Sequence, residues 1–167
     1  MSFVSYMTLI GKTQKLISEG ASSLKSIGNY YQQGREDQIL VRSFRHGLYR
    51  PEGAQTDGRM HRPFIITKMR DSASPLLVNA WRTGEVLSVC QINEYRISPQ
   101  GFQEHCYTTK LRDVVITAID VINPDPQDSA GGHAMVIETV SLSYRTIAVT
   151  HEVCRTEGSD YWDNGTL

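Results

Sequence analysis

The stretch VIETVSLSYRTIAVTH, from Val136 to His151, is the segment that most strongly indicates the fold. In its first half, Val140, Leu142 and Tyr144 share one parity, and the small polar or charged residues between them share the other. This period of two is typical of a β-strand with one buried face and one wet face. The apolar residues change parity after Thr146, which predicts either a β-bulge or a second face that meets another surface.

Working outward from this stretch, further strands are predicted at Tyr6–Ile10, Ile39–Phe44, Pro63–Met69, Val86–Ile97, Phe102–Leu111 and Val114–Ile122. One helix is predicted at about residues 75–83. Ser74 is its candidate N-cap, Pro75 suits its first turn, and Gly84 can end it in the left-handed conformation. Closely spaced strands with a single helix favour an all-β sandwich or barrel whose edge or open end the helix covers.

A long connection separates two of these predicted strands. It reads RHGLYRPEGAQTDGRMHR, from Arg45 to Arg62, and carries turn signals at Arg50-Pro51 and Asp57-Gly58. A β-hairpin needs far fewer residues, and connections of this length usually have a role in function or in packing beyond their own subunit. The alternative, a tolerated surface excursion, stays open.

Length and charge place further bounds on the chain. Its 167 residues predict a single domain, with an ordered core at about 5–153 and a polar C-terminal tail at 155–167. Seventeen basic and 18 acidic residues give a net charge of -1 without any block of like charges, so neither nucleic acid nor anionic lipid is an expected partner. No secretory signal pattern opens the sequence, and no apolar run reaches membrane-spanning length.

Catalytic or metal-binding patterns are not evident. The five histidines are dispersed without the short spacings that bring two ligands together, so neither a metal nor a cofactor is expected. Glu104 and His105 are adjacent, and on a strand their side chains would point in opposite directions, which disfavours joint acid–base work. The chain is therefore expected not to be an enzyme. A hydrolase that uses these two residues stays open as a minor alternative.

The predicted strands carry a hydrogen-bonding polar face. Its members are Gln91, Asn93, Thr108, Lys110, Arg112, Ser141, Ser143 and Arg145. One interpretation is an ordinary solvated outer surface, and the other is a wall that faces water and cargo inside an assembly. Composition does not decide between them.

Several blocks taken in order resemble a known family. They are SIGNYYQQGREDQILVRSFRHGLYRP, GRMHRPFIITKMRDSASPLLVNAWRTGEVL, YRISPQGFQEHCYTTKLRDVVI, VSLSYR and GSDYWD. Together they are similar to the hemolysin-coregulated proteins (Hcp), the tube subunits of bacterial type VI secretion. The resemblance spans roughly residues 5–163, with a looser match over the first forty.

The resemblance implies a mainly β fold: a β-barrel of two packed antiparallel sheets, with one flanking α-helix at about 75–83 and a long extended loop at about 45–62. It also implies a homo-hexameric ring, and rings that stack into a hollow tube. Association of one surface with a different surface of the next copy closes such a ring when the rotation permits. The implied partners are a VgrG-type spike, contractile sheath proteins and effector proteins in the lumen. Assembly is expected in the cytoplasm, followed by secretion without a signal peptide and without a direct membrane anchor.

Residue roles follow from the same resemblance. The loop at 45–62 corresponds to the family's extended loop, which contacts a neighbouring subunit or ring. The interface residues implied there are His46, Tyr49, Arg50, Pro51, Arg59 and His61. A ring or lumen face is implied for Ser43, Arg145, Ile147 and Val149. A phage-type tail-tube protein and a monomeric β-barrel that binds a small molecule remain the alternative functions.

Overall fold

The computed structural model describes residues 3–53, 58–127 and 135–162. Its first strands are β1 (Val4–Gly11), β2 (Lys15–Leu16), β3 (Ile39–Arg45), β4 (Leu48–Tyr49), β5 (Met60–His61) and β6 (Phe64–Met69). The later strands are β7 (Leu87–Ile97), β8 (Gln103–Arg112), β9 (Val115–Ile122), β10 (Ile137–Ser143), β11 (Thr146–His151) and β12 (Thr156–Tyr161). The helices are α1 (Leu24–Ile27), a 3₁₀ turn at Gly28–Tyr30, and α2 (Ser74–Thr83). None of the helices in these ranges has both the length and the apolar character to cross a membrane.

One antiparallel sheet contains ten of these strands. Its order is β12-β11-β8-β7-β1-β3-β6-β10-β9, with β2 attached to β1, while β4 and β5 pair separately as a hairpin. The sheet folds over on itself around one apolar core. At the start of β7, Leu87 exchanges both backbone hydrogen bonds with Val114, which continues the β7–β8 pairing before the chain enters β9. The barrel-like, mainly β fold is thus confirmed. Its two layers are continuous parts of one sheet, because the strand order runs without a break from β12 to β9.

The core lies between the two layers. Apolar side chains from both fill this space, among them Met7, Leu9, Ile92, Leu111 and Leu142, each essentially inaccessible to solvent. At roughly 25 cal/mol per Å² of apolar surface removed from water, this burial is the main term that stabilises the fold.

The stretch Val136–His151 lies at the junction of the layers. Val140, Leu142 and Tyr144 are buried, as the alternation predicts. The parity change corresponds to a break in the strand rather than a bulge, since β10 ends at Ser143 and β11 begins at Thr146. β10 pairs with β6 and β9, whereas β11 pairs with β8 and β12, so the chain passes from one layer to the other at this break.

Helix α2 agrees with its predicted limits but not with its predicted cap. Gly84 ends the helix with φ of 64°, in the left-handed region, and Leu77 and Ala80 are buried. The N-cap is Ala73 without a side-chain hydrogen bond, so Ser74 as the N-cap was wrong. The Ser74 hydroxyl instead donates to Glu138 Oε2 at 2.7 Å and accepts from Lys68 Nζ at 3.1 Å. A buried ionic cluster therefore uses the hydroxyl that was expected to cap the helix.

The C-terminal segment differs from the predicted polar tail. Thr156–Tyr161 forms β12, which pairs with β11 along its full length, from Thr146 opposite Tyr161 to His151 opposite Thr156. Five of its six residues are exposed, because β12 is an edge strand. Residues 163–167 of the expected tail lie outside the described residues.

Candidate subunit interface

The long connection forms a hairpin set apart from the main sheet. Leu48 pairs with His61 and Tyr49 pairs with Met60, and the Arg62 N–H donates to the Gly47 carbonyl at 2.9 Å. Residues 54–57 of the predicted loop lie outside the described residues. We refer to residues 46–53 and 58–62 as the hairpin segment.

The hairpin segment exposes large apolar side chains. Leu48 is 59% exposed, Met60 44% and Tyr49 40%. The Arg62 guanidinium lies over the Tyr49 ring, 5.0 Å from its centroid, which is cation–π geometry. A two-stranded hairpin is at best marginally stable alone, so its base must be held by the rest of the subunit.

Four side chains form that base, and we call them the hairpin-base network: His46, His61, Tyr144 and Asp160. The Tyr144 hydroxyl lies 2.6 Å from His46 Nε2 and 2.6 Å from His61 Nδ1. His61 Nε2 lies 2.9 Å from Asp160 Oδ2. The network thus joins the hairpin segment to the junction of the two layers and to β12.

Aromatic rings enclose the hairpin-base network. The His61 ring stacks on Trp162 with centroids 5.8 Å apart, and the His46 ring stacks on Phe64 at 5.2 Å. Burial, and next the nearby charge of Asp160, raise the pKa of Tyr144, so its hydroxyl stays protonated at neutral pH. Burial lowers the pKa of His46, and the neighbouring His61 lowers it further.

Acidic and basic groups meet at the outer side of the network. The hydrogen bond from His61, opposed by partial desolvation, holds the pKa of Asp160 below its ordinary value. Arg59 lies 3.6 Å from the same carboxylate at Oδ1. A shallow groove of about 430 Å³ follows the hairpin here, lined in part by Tyr49, Arg50 and Asp160.

The interface residues expected from the sequence therefore divide into two groups. Tyr49, Arg50, Pro51 and Arg59 are exposed on the hairpin segment, where a neighbour could reach them. His61 is buried and His46 half-buried, so these two histidines hold the hairpin from below. Asp160, which completes the base, and Trp162, which stacks on His61, were missed because they lie in a segment that was predicted to be a polar tail.

The residues expected on a ring or lumen face also fall into two groups, exposed and buried. Ser43 is exposed on β3 opposite Thr67, while Arg145 and Val149 are also exposed. Ile147 is 4% exposed and belongs to the core cluster, so its expected contact with a neighbour was wrong. Its side chain points inward because β11 enters the opposite layer with a new parity.

The strand register divides the predicted polar face between the two layers. Gln91 lies opposite Lys110, and Asn93 lies opposite Thr108, so these residues share one outer face. Ser141 pairs instead with Ile65 and Ala118 in the other layer. The predicted polar residues thus belong to two layers, and Thr108 among them is buried against Glu152.

The residues considered for acid–base chemistry make structural contacts. Glu104 Oε2 accepts a hydrogen bond from Arg96 Nε at 2.8 Å, and the His105 ring stacks on Tyr95 with centroids 5.1 Å apart. Within residues 3–53, 58–127 and 135–162, no three His, Cys, Asp or Glu side chains come together as a metal site. The three cysteines in those ranges are free thiols, with Cys90 and Cys106 buried and Cys154 exposed.

Comparison with known proteins identifies the family. The family described as "Type VI secretion system effector, Hcp" matches residues 6–151. The chain is 43% identical to the "Major exported protein" of Pseudomonas aeruginosa over 97% of this chain and 96% of that protein. It is 30% identical to "Uncharacterized protein YhhZ" of Escherichia coli over 95% of this chain, which corresponds to 38% of that longer protein.

Solved structures agree with the sequence matches. One described as an Hcp protein has a TM-score of 0.91 at 37% identity, covering 96% of this chain and 98% of its own. The secreted protein Hcp3 of Pseudomonas aeruginosa has a TM-score of 0.84 at 41% identity, covering 96% of this chain and 99% of its own. The expected resemblance is confirmed: this chain belongs to the Hcp family of type VI secretion proteins.

Proposed function

We propose that this chain is the tube subunit of a type VI secretion system. Copies assemble into six-membered rings in the cytoplasm, and the rings stack into a hollow tube that carries effector proteins. A VgrG-type spike caps the tube, a contractile sheath expels it, and the subunit leaves the cell without a signal peptide. The observation that carries the assembly is the exposed apolar hairpin segment on a buried base.

The composition of the hairpin segment suits a protein interface. Exposed large apolar side chains that lie together mark interaction surfaces, and tyrosine and arginine are enriched among the residues that dominate binding energy. Leu48, Tyr49 and Met60 supply apolar area, and Arg50 and Arg59 supply charge at its border. The buried base lowers the entropic cost of binding, because it already fixes the position of the hairpin.

A ring of identical subunits also needs a second, different surface for the hairpin to meet. One such surface lies on α2, where Val78 and Trp81 are about half exposed. The Trp81 indole N–H donates to the Thr117 carbonyl at 3.3 Å, which holds the ring beside β9. On β9 itself Val121 and Ile122 are exposed, so the apolar side chains extend onto this edge strand.

Sedimentation and negative-stain microscopy of the purified chain test this proposal. We expect six-fold rings, and a chain that stays strictly monomeric at high concentration would contradict it. Replacing Tyr49 and Arg50 together with Ala should weaken ring or stack formation, by about thirtyfold or more in subunit affinity if they act as interface hot spots. Phe102→Ala is the matched control, since Phe102 is an exposed aromatic residue in the turn between β7 and β8.

A further inference from the structure

The hairpin-base network has a defined number of hydrogens. A tyrosine hydroxyl has a single hydrogen, so between two imidazoles it donates to one and accepts from the other. The distances from the Tyr144 oxygen to the His46 and His61 nitrogens are both 2.6 Å, so both bonds are made. The donor and the acceptor of each bond therefore follow once it is known whether one member of the network donates or accepts.

Asp160 sets that order. Its carboxylate can only accept, so His61 Nε2, at 2.9 Å, must be the donor. In neutral His61 the other nitrogen, Nδ1, then accepts from the Tyr144 hydroxyl. The Tyr144 oxygen accepts in turn from His46 Nε2. All three bonds run in one direction, from His46 to Asp160.

One additional proton leaves the network intact. A proton on His46 adds a donor at Nδ1 and changes none of the three bonds. A proton on His61 makes its Nδ1 a donor. Neutral His46 can then adopt the tautomer with its hydrogen on Nδ1, and the Tyr144 hydroxyl turns and donates to His46 Nε2. In both states each of the three bonds retains one donor hydrogen and one acceptor.

Two additional protons do not fit. Both imidazoles then donate to the Tyr144 oxygen, and the hydroxyl hydrogen has no acceptor within the network. An unsatisfied buried donor costs about 1–3 kcal/mol. Two positive imidazoles would also lie with ring centroids 6.5 Å apart. The unsatisfied hydroxyl hydrogen and the repulsion between the two imidazoles therefore both destabilise the observed hairpin geometry in the doubly protonated state.

The surrounding charges add to this opposition. Arg45 and Arg62 line the pocket beside His46, and Arg59 lies on the far side of Asp160. Tyr144, on the connection from β10 to β11, stays neutral, and the neighbouring Phe64 and Trp162 carry no charge. Among the described groups at this site, the Asp160 carboxylate is the negative charge opposite several positive ones.

We propose that His46, Tyr144, His61 and Asp160 form an acid-sensitive latch. At neutral pH the latch holds the hairpin segment to the layer junction and to β12, and protonation of both imidazoles releases it. The latch lies within one subunit, so it stands or falls separately from the proposed tube. If the tube is correct, acidification would loosen the hairpin contacts between subunits.

Hydrogen exchange of the full-length chain tests the latch at about pH 7.5 and about pH 5, on either side of the ordinary histidine range. After correction for the intrinsic pH dependence, we expect amides of β5 and β12 to exchange about tenfold faster at the lower pH, while those of β7 do not change. Equal protection of β5 and β12 at both pH values would overturn the latch.

A single substitution separates the latch from a general acid effect. His46→Gln keeps an Nε2 donor near the Tyr144 oxygen but cannot be protonated, so the tenfold change should fall to about threefold or less. His105→Gln is the matched control, because His105 lies outside the network and its removal should leave the tenfold change. An unaltered response in His46→Gln would overturn the proposal.

Imidazole NMR of the unsubstituted chain gives an independent test that does not require the variant to fold. The expected result is that hairpin exchange accelerates in the pH range where the second of the two imidazoles becomes protonated. Protonation of both His46 and His61 with an unchanged hairpin would contradict the latch.

Discussion

The antiparallel strands β6 and β10 carry a buried polar cluster at each end, and the two clusters differ in kind. At one end Lys68, fully buried, lies 2.9 Å from Glu138 and 3.0 Å from Asp71. At the other end Phe64 and Leu142 pair beside the hairpin-base network. The first cluster joins one lysine to two carboxylates at the start of α2. The second joins two imidazoles, a tyrosine hydroxyl and one carboxylate, so in the proposed latch its stability depends on protonation of the imidazoles.

The largest expected effect comes from the cluster around Lys68. Lys68→Met should lower the free energy of unfolding by about 3–5 kcal/mol, because it removes the buried countercharge that Asp71 and Glu138 share and leaves, among the described residues, only the exposed Arg70, 3.5 Å from Glu138. Urea denaturation measures the change. Lys110→Met, at an exposed lysine of β8, is the control and should cost less than about 1 kcal/mol.

A second substitution shows whether the loss arises from uncompensated charge. Adding Glu138→Gln to Lys68→Met removes one of the two carboxylates and should recover part of the stability. If the double variant is less stable than the single one, Lys68 supports α2 through packing of its side chain.

A smaller effect is expected at the hairpin-base network. Tyr144→Phe keeps the buried ring but removes the shared hydroxyl, so two imidazole nitrogens lose their partner at a cost of about 1–3 kcal/mol. Tyr161→Phe, at an exposed tyrosine of β12, should change stability by less than about 0.5 kcal/mol. Equal losses in the two variants would remove the distinction between the network and the surface.

The smallest expected effect is on how the stability of the fold depends on pH in the acid range. Burial raises the pKa of Asp71, against the opposing charge of Lys68, so the native state binds this proton more readily than the unfolded chain. Acidification through that pKa therefore favours folding at this end. The pKa of Asp160 is lowered, chiefly by the hydrogen bond from His61, so its contribution is present above the ordinary carboxyl range and is lost as the pH falls through the lowered value.

Denaturation as a function of pH compares Asp71→Asn with Asp160→Asn. The slope of stability against pH in the acid range should change in opposite directions for the two variants, because Asn cannot titrate. If both slopes changed in the same direction, the two carboxylates would not have opposite effects on stability as the pH falls.

Local patterns predicted much of this structure. Alternation identified Val140, Leu142 and Tyr144 as buried, and the Gly84 signal located the end of α2. The loop at 45–62 is longer than an ordinary turn needs, and part of it forms the β4–β5 hairpin, while its predicted role beyond the subunit stays a prediction. Each of these inferences depends on neighbours along the chain, which is the information that a single sequence contains.

The missed features depend on contacts between distant segments. Asp160 completes the hairpin base only because β12 pairs with β11 and brings it to His61, 99 residues earlier in the chain. Ile147 points inward because the chain changes layer after Ser143, and alternation alone shows the parity change without its cause. Ser74 has the residue type of a cap, but the buried Lys68 and Glu138 compete for its hydroxyl.

The strand order also has a consequence for folding kinetics. Val4 on β1 lies opposite Tyr95 on β7, and Met69 on β6 lies opposite Ile137 on β10, so the centre of the sheet joins residues far apart in the chain. Closing such long loops costs entropy before any contact repays it, and sheets of this kind fold in roughly milliseconds to seconds. The local β7–β8 and β11–β12 hairpins can form much sooner. After these hairpins form and before the central strands pair, the hairpin edges have unpaired backbone groups. The folding subunit is then most prone to premature association.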